Sequence, residues 1–145
     1  MPKLVRQIFA VVVGIIIGGC VNMALITLSP ILIPPPTGVD VSNAESLQQS
    51  IHLFQPQHFI MPFLAHALGT FAGALVAYLL AVSHHKQLAF GIGAFYFCGG
   101  LAACFMIPAP AWFMALDLLL AYLPMAWLAV WLGFRLRPTT AISRS

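Results

Sequence analysis

Acidic residues are nearly missing from this chain: Asp40, Glu45 and Asp117 are the only three in 145 residues. Charged residues of both signs make up 6% of the sequence, against roughly a quarter in soluble globular domains. A water-soluble chain of this size keeps much of its surface in contact with solvent, so this deficit excludes an ordinary soluble domain. Cysteine is scarce too. Cys20, Cys98 and Cys104 sit in apolar stretches without CxxC or Cys/His spacing, which leaves them as small buried hydrophobes and not metal ligands or a disulfide framework. Enzyme signatures are absent: there is no Ser/His/Asp triad pattern, phosphate-cradling glycine loop, HExxH pair or paired redox cysteines. Nothing asks for a cofactor or a resident metal, and haem-type histidine pairing is not evident.

What the chain has is apolar length. It is 61% hydrophobic, with mean hydropathy +0.99. Four apolar runs, at 8–29, 59–82, 88–107 and 112–134, each match the roughly 20 residues a bilayer-spanning helix needs. All six cations, Lys3, Arg6, Lys86, Arg135, Arg137 and Arg144, fall at the same end of these runs. Cationic loops stay on the side of synthesis. The expectation is therefore an all-α polytopic membrane protein: one four-helix transmembrane domain in the plasma (bacterial inner) membrane, both termini cytoplasmic, with a polar tail over 135–145. The net charge of +3 reads as a topology signal and not as a nucleic-acid surface, because the cations bracket apolar spans instead of lining one face. Ile17-Gly18-Gly19-Cys20 behind a basic head resembles a lipoprotein cleavage site. The apolar run continues through Leu28, however, beyond the roughly 7–15 residues of a signal core.

Prolines punctuate the runs. Pro30 and the Pro34-Pro35-Pro36 stretch are expected to stop the first helix, and Pro108-Ala109-Pro110 to reverse the chain after the third. The long connection, 30–57, falls on the outer side. Within it Ser42-Asn43-Ala44-Glu45 has capping-box spacing, and Leu47, Ile51 and Phe54 recur on one helical face. A short amphipathic helix over 43–54 is predicted to lie on the membrane surface or over the bundle mouth.

Lipid tails are as apolar as leucine, so helices in a bilayer associate through close packing and polar bonds. Gly14 and Gly18 form a small-residue stripe continued by Asn22, and His66, Gly69 and Gly73 form one on the second span. At ~1.5 Å rise per residue, Gly18 falls level with Gly69, Gly14 with Gly73, and Asn22 with His66. The third span holds Gly91, Gly93, Gly99 and Gly100, which predicts the most crowded helix, with Gly99 and Gly100 as packing positions.

Asp117 is the most costly residue to insert, at ~2.5–3.5 kcal/mol for a helix centre. His66 is the ionisable neighbour at similar depth within a helix. A cluster of Asp117, His66 and Asn22 reads as a polar clamp, as a titratable or solute-binding site open to the outer face, or as a metal site helped by His58 or His52. His52, His58 and His66 do not share a helix face, and a zinc site needs three or four converging groups. The sequence leans to a non-enzymatic membrane protein that binds or passes a small solute or proton, or serves as a helix-bundle subunit. Its partners would be the bilayer, an unknown small-molecule ligand, and a second copy or another membrane protein, but no nucleic acid. The rival is a membrane-embedded enzyme using His66 and Asp117 as acid and base on a lipid-soluble substrate.

Overall fold

The computed structural model describes residues 2–137, and every regular element within them is helical. The tail beyond, including Arg144, lies outside the described residues. In chain order the helices are α1 (Lys3–Leu32), α2 (Ala44–Ser50), α3 (Ile60–Leu80), α4 (His85–Met106), α5 (Ala111–Leu120) and α6 (Leu123–Leu136). Single 3₁₀ turns at Ile51–Leu53 and Pro56–Phe59 join α2 to α3. Four segments are long and apolar enough to cross a membrane: α1, Pro56–Leu80, α4, and the α5–α6 pair taken together. They alternate in direction, giving a basic end that carries Lys3, Arg6, Lys86, Arg135 and Arg137, and a loop end built from residues 33–59 and 107–110.

α3 is the central post, with α1, α4 and α6 packed around it. Glycine sets the α1–α3 spacing. A Cβ on Gly14 would stand 2.7 Å from the Gly73 carbonyl oxygen, and one on Gly18 would stand 2.6 Å from that of Gly69. The contact is reciprocal, since Cβ atoms on Gly69 and Gly73 would meet the carbonyls of Gly18 and Gly14 at 2.8 and 2.7 Å. Backbones this close leave no room for a methyl group and favour Cα–H···O contacts between the helices. Toward the basic end the filling is again small: Ala74, Ala77, Ala89, Ala126 and Ala129 are fully buried around Ile92 and Tyr78.

α4 is not the crowded helix that its glycine content predicts; α3 is. Only Gly93 and Gly100 face neighbours, Ala126 and Tyr122, while Gly91 and Gly99 have nothing within 4 Å of a would-be Cβ. Successive helical residues turn by ~100°, so adjacent glycines at 99 and 100 serve different faces.

Two prolines act differently from expectation. Pro30 does not end α1. It sits in the last turn, the helix continues to Leu32, and the cap is the Ile33 N–H donating to the Ser29 carbonyl at 2.8 Å. One missing donor near a helix end costs little; the following Pro34–Pro36 run is what stops the chain. The fourth apolar run, expected as one helix, is instead broken at Ala121–Tyr122. Pro124 has no N–H for the Leu120 carbonyl and occupies the first turn of α6, a position where proline is tolerated. Tyr122 takes φ −119° and ψ −81° to make the break.

The loop end is held by local hydrogen bonds. Pro36 to Val39 forms a tight turn closed by Val39 N–H to Pro36 O at 3.1 Å, with Gly38 at φ +83° where a side chain would be strained. The amphipathic segment is a seven-residue helix followed by a 3₁₀ turn, shorter than the twelve-residue stretch expected. Its cap is Asn43 and not Ser42: the Asn43 side chain accepts from the amides of Glu45 and Ser46 at 2.9 and 3.2 Å. Ser42 is already committed, donating both its N–H and its hydroxyl to Asp40 at 2.9 and 2.6 Å. Those two bonds, the hydroxyl's first, hold the Asp40 carboxyl below the usual carboxylate range.

Candidate functional site

Asp117 is 3% exposed on α5, a helix that carries no Lys or Arg. Two side chains share its carboxylate. His66 of α3 directs Nδ1 between the two oxygens, 2.9 Å from each. The Tyr122 hydroxyl donates to Oδ2 at 2.8 Å. An ionised carboxylate only accepts, so with Asp117 in that form the imidazole carries its proton on Nδ1, aimed between the two oxygens. Tyr122 also lies almost parallel to the His66 ring, with centroids 5.9 Å apart and planes 27° apart.

The helix break makes this trio possible. In a continuous helix residues five apart point ~140° away from each other, so Tyr122 could not turn back onto Asp117. Breaking at Ala121–Tyr122 swings the phenol round. Gly100 of α4 then gives it room, because a Cβ there would overlap the Tyr122 ring and hydroxyl. The Thr70 hydroxyl donates to the His66 carbonyl at 2.7 Å, one turn along α3.

His66 stands between two cavities. The first, about 260 Å³, lies beneath the loop end, with Asp117, His66 and Cys104 at its floor and Leu47, Phe54 and Phe113 around it. The second, about 220 Å³, is bounded by Asn22 of α1, Tyr96, Gly99, Gly100 and Ala103 of α4, and by His66 and Tyr122. A third hollow of about 500 Å³ between α1 and the loop shares Leu47, Phe54 and His58 with the first. Nε2 of His66 has no partner among the described residues and is not sealed from these spaces; the side chain is 25% exposed. The dyad therefore presents the Nε2 of His66 to mostly apolar spaces, with Asn22 as a further polar group lining the second.

The other sequence candidates fall as follows. Asn22 lines the second cavity but bonds to neither His66 nor Asp117; the third member of the cluster is Tyr122. Its Cβ lies 3.1 Å from where a Cβ on Gly69 would stand, so Asn22 packs on the bare face of that glycine. His58 is a clasp: its Nδ1 accepts the Gln55 N–H at 2.9 Å, and Nε2 donates to the Pro34 carbonyl at 3.1 Å. That ties the start of the long loop to the start of α3. Among the described residues no three His, Cys, Asp or Glu side chains gather closely enough to hold a metal ion. Gly14, Gly18, Gly69 and Gly73 build the α1–α3 contact, Gly100 seats Tyr122, and Gly99 packs against nothing.

At the basic end His85 lies 2.9 Å from the Tyr78 carbonyl, and Arg137 donates to the Ala81 carbonyl at 3.1 Å beside that imidazole. Arg135 lies 4.0 Å above the Trp131 ring. These contacts anchor the turn between α3 and α4 to the end of α6 and stand apart from Asp117. Tyr122 is the member of the cluster that the sequence pattern did not point to, and its available signal was Pro124. No protein family, curated protein or solved structure matches this chain.

Proposed function

We propose that this chain is a polytopic membrane protein with four spans, its basic end in the cytoplasm and its loop end outside, that binds a small ligand at His66. The support for membrane residence is the length and apolarity of the four segments together with the one-sided cations. α1, with 30 residues, is ~45 Å long, so it tilts or projects beyond a ~30 Å hydrocarbon core. An intramembrane carboxylate costs several kcal/mol unless paired, and discontinuous spans typically line solute sites in membrane proteins.

The observation that carries the binding reading is the free imidazole nitrogen. Asp117 and Tyr122 orient His66, and the remaining nitrogen opens onto cavities that extend to the loop end. A clamp whose only task is to hold helices would close this space. Pocket chemistry of this kind, mostly apolar with few converging polar groups, is typical of small-molecule sites. The same dyad gives a second reading its one support: an Nδ1–H held by a carboxylate with Nε2 free is how a general base is presented.

Para-hexylphenol, a small amphiphile with a hydroxyl head, is a suitable probe when titrated calorimetrically into the protein in nanodiscs against empty nanodiscs. His66→Ala is expected to weaken its binding about tenfold, the worth of one hydrogen bond to a charge-assisted group. Asp117→Asn, which loosens the orientation of His66, is expected to weaken it less. Both variants should elute as folded protein. Loss of fold in both with no change in binding to the surviving fraction returns the cluster to a clamp.

A further inference from the structure

We infer that the ligand reaches His66 from the hydrocarbon phase, through a side opening between α1 and α4, and is therefore a lipid-soluble molecule with a hydroxyl head. This inference rests on the binding reading above. The second cavity is the opening. One wall is Asn22, the other is Gly99 and Ala103, and its back is formed by His66 and Tyr122. Its floor is Tyr96, whose hydroxyl donates to the Ile15 carbonyl at 2.6 Å and so pins α4 to α1 beneath the gap. Above that bond the two helices are not bridged by any hydrogen bond among the described residues.

Gly99 marks the mouth. It is exposed, and nothing lies within 4 Å of where a Cβ would stand, so close packing does not explain it. Gly91, two turns earlier on the same helix, is equally open but lies away from the cavity. The pair forms an internal control. Polar chemistry supplies the head-group class. The Asn22 amide both donates and accepts, and a hydroxyl satisfies the imidazole in either state, donating to it when neutral and accepting from it when protonated. The apolar chamber beyond His66 then takes the ligand's hydrocarbon portion. The alternative route, from water beneath the loop end, runs past the His58 clasp.

The test is the rate at which diethyl pyrocarbonate modifies His66 in the full chain reconstituted in phospholipid vesicles, read by peptide mass spectrometry with and without para-hexylphenol. Gly99→Leu is expected to slow modification of His66 about tenfold by blocking approach, with Gly91→Leu leaving the rate unchanged. Ala103→Leu, at the same mouth, should act as Gly99→Leu does and stands in for it if that variant fails to fold. Para-hexylphenol should protect His66 in the unmodified chain. If His58→Ala accelerates modification while both mouth variants leave it alone, the route runs under the loop and the side opening is refuted. If para-hexylphenol binds equally well to His66→Ala, the binding site itself is wrong, an outcome separate from the route.

Discussion

The two halves of α3 are packed on opposite terms. From Gly69 toward the basic end, the helix meets its neighbours through glycine and alanine, and the α1 and α3 backbones come within contact of each other. From His66 toward the loop end, it meets proline, aromatic rings and a broken helix, and the spaces between them stay open. In a bilayer, burial of apolar surface supplies little net association, so stability has to come from close contact. The tight half can provide it, and that permits the other half to be hollow around a buried carboxylate. Rigid support beneath a polar site is also what holds a hydrogen-bonded trio in register.

Five substitutions probe this contrast. The largest effect is expected from Gly18→Leu, which drives a side chain into the Gly69 carbonyl and the Tyr96 hydroxyl together. It should cost about 3 kcal/mol or more and abolish the folded peak in size-exclusion chromatography. Gly100→Ala comes next. Its methyl group displaces Tyr122 from Asp117, so heat denaturation in detergent should show a loss of ~1–3 kcal/mol. Tyr122→Phe keeps the packing and removes only the hydrogen bond, and should reproduce part of that loss.

His58→Ala should act on the hollow half alone. Losing the clasp to Gln55 and Pro34 is expected to raise amide exchange over residues 34–58 while α1 and α3 below Gly69 stay protected. Its global cost should be near 1 kcal/mol. Gly91→Ala sits at the foot of the scale. With open space around it, the added methyl meets nothing, and the gain in helix propensity should leave stability unchanged or raise it by up to ~1 kcal/mol. A loss there would mean that the outer face of α4 is covered.

The helical architecture is legible in the chain because apolar runs of bilayer length, separated by proline and polar turns, have few other ways to satisfy their backbone. The glycine stripes name the α1 and α3 faces, since small residues four apart mark where backbones approach. Other features do not follow from local pattern. Pro30 and Pro124 look alike in sequence, yet one rides in a terminal turn and the other breaks a span, because their positions relative to the helix end differ. Ser42 and Asn43 are both capable caps, and the competition is decided by Asp40, which takes Ser42 first. The four glycines of α4 give no hint of which face a partner, since that depends on where α6 and Tyr122 arrive.

Sequence alone determined that the segments are helical and apolar with their cations gathered at one end, and that an isolated acid among them needs a polar neighbour. Tertiary structure decided that the neighbours are His66 and Tyr122 while Asn22 stands across a gap, and that Gly99 borders empty space. The reason is one of range. Periodicity and charge act within a span, whereas hydrogen-bond partners and cavities depend on ångström-scale distances between helices far apart in the chain.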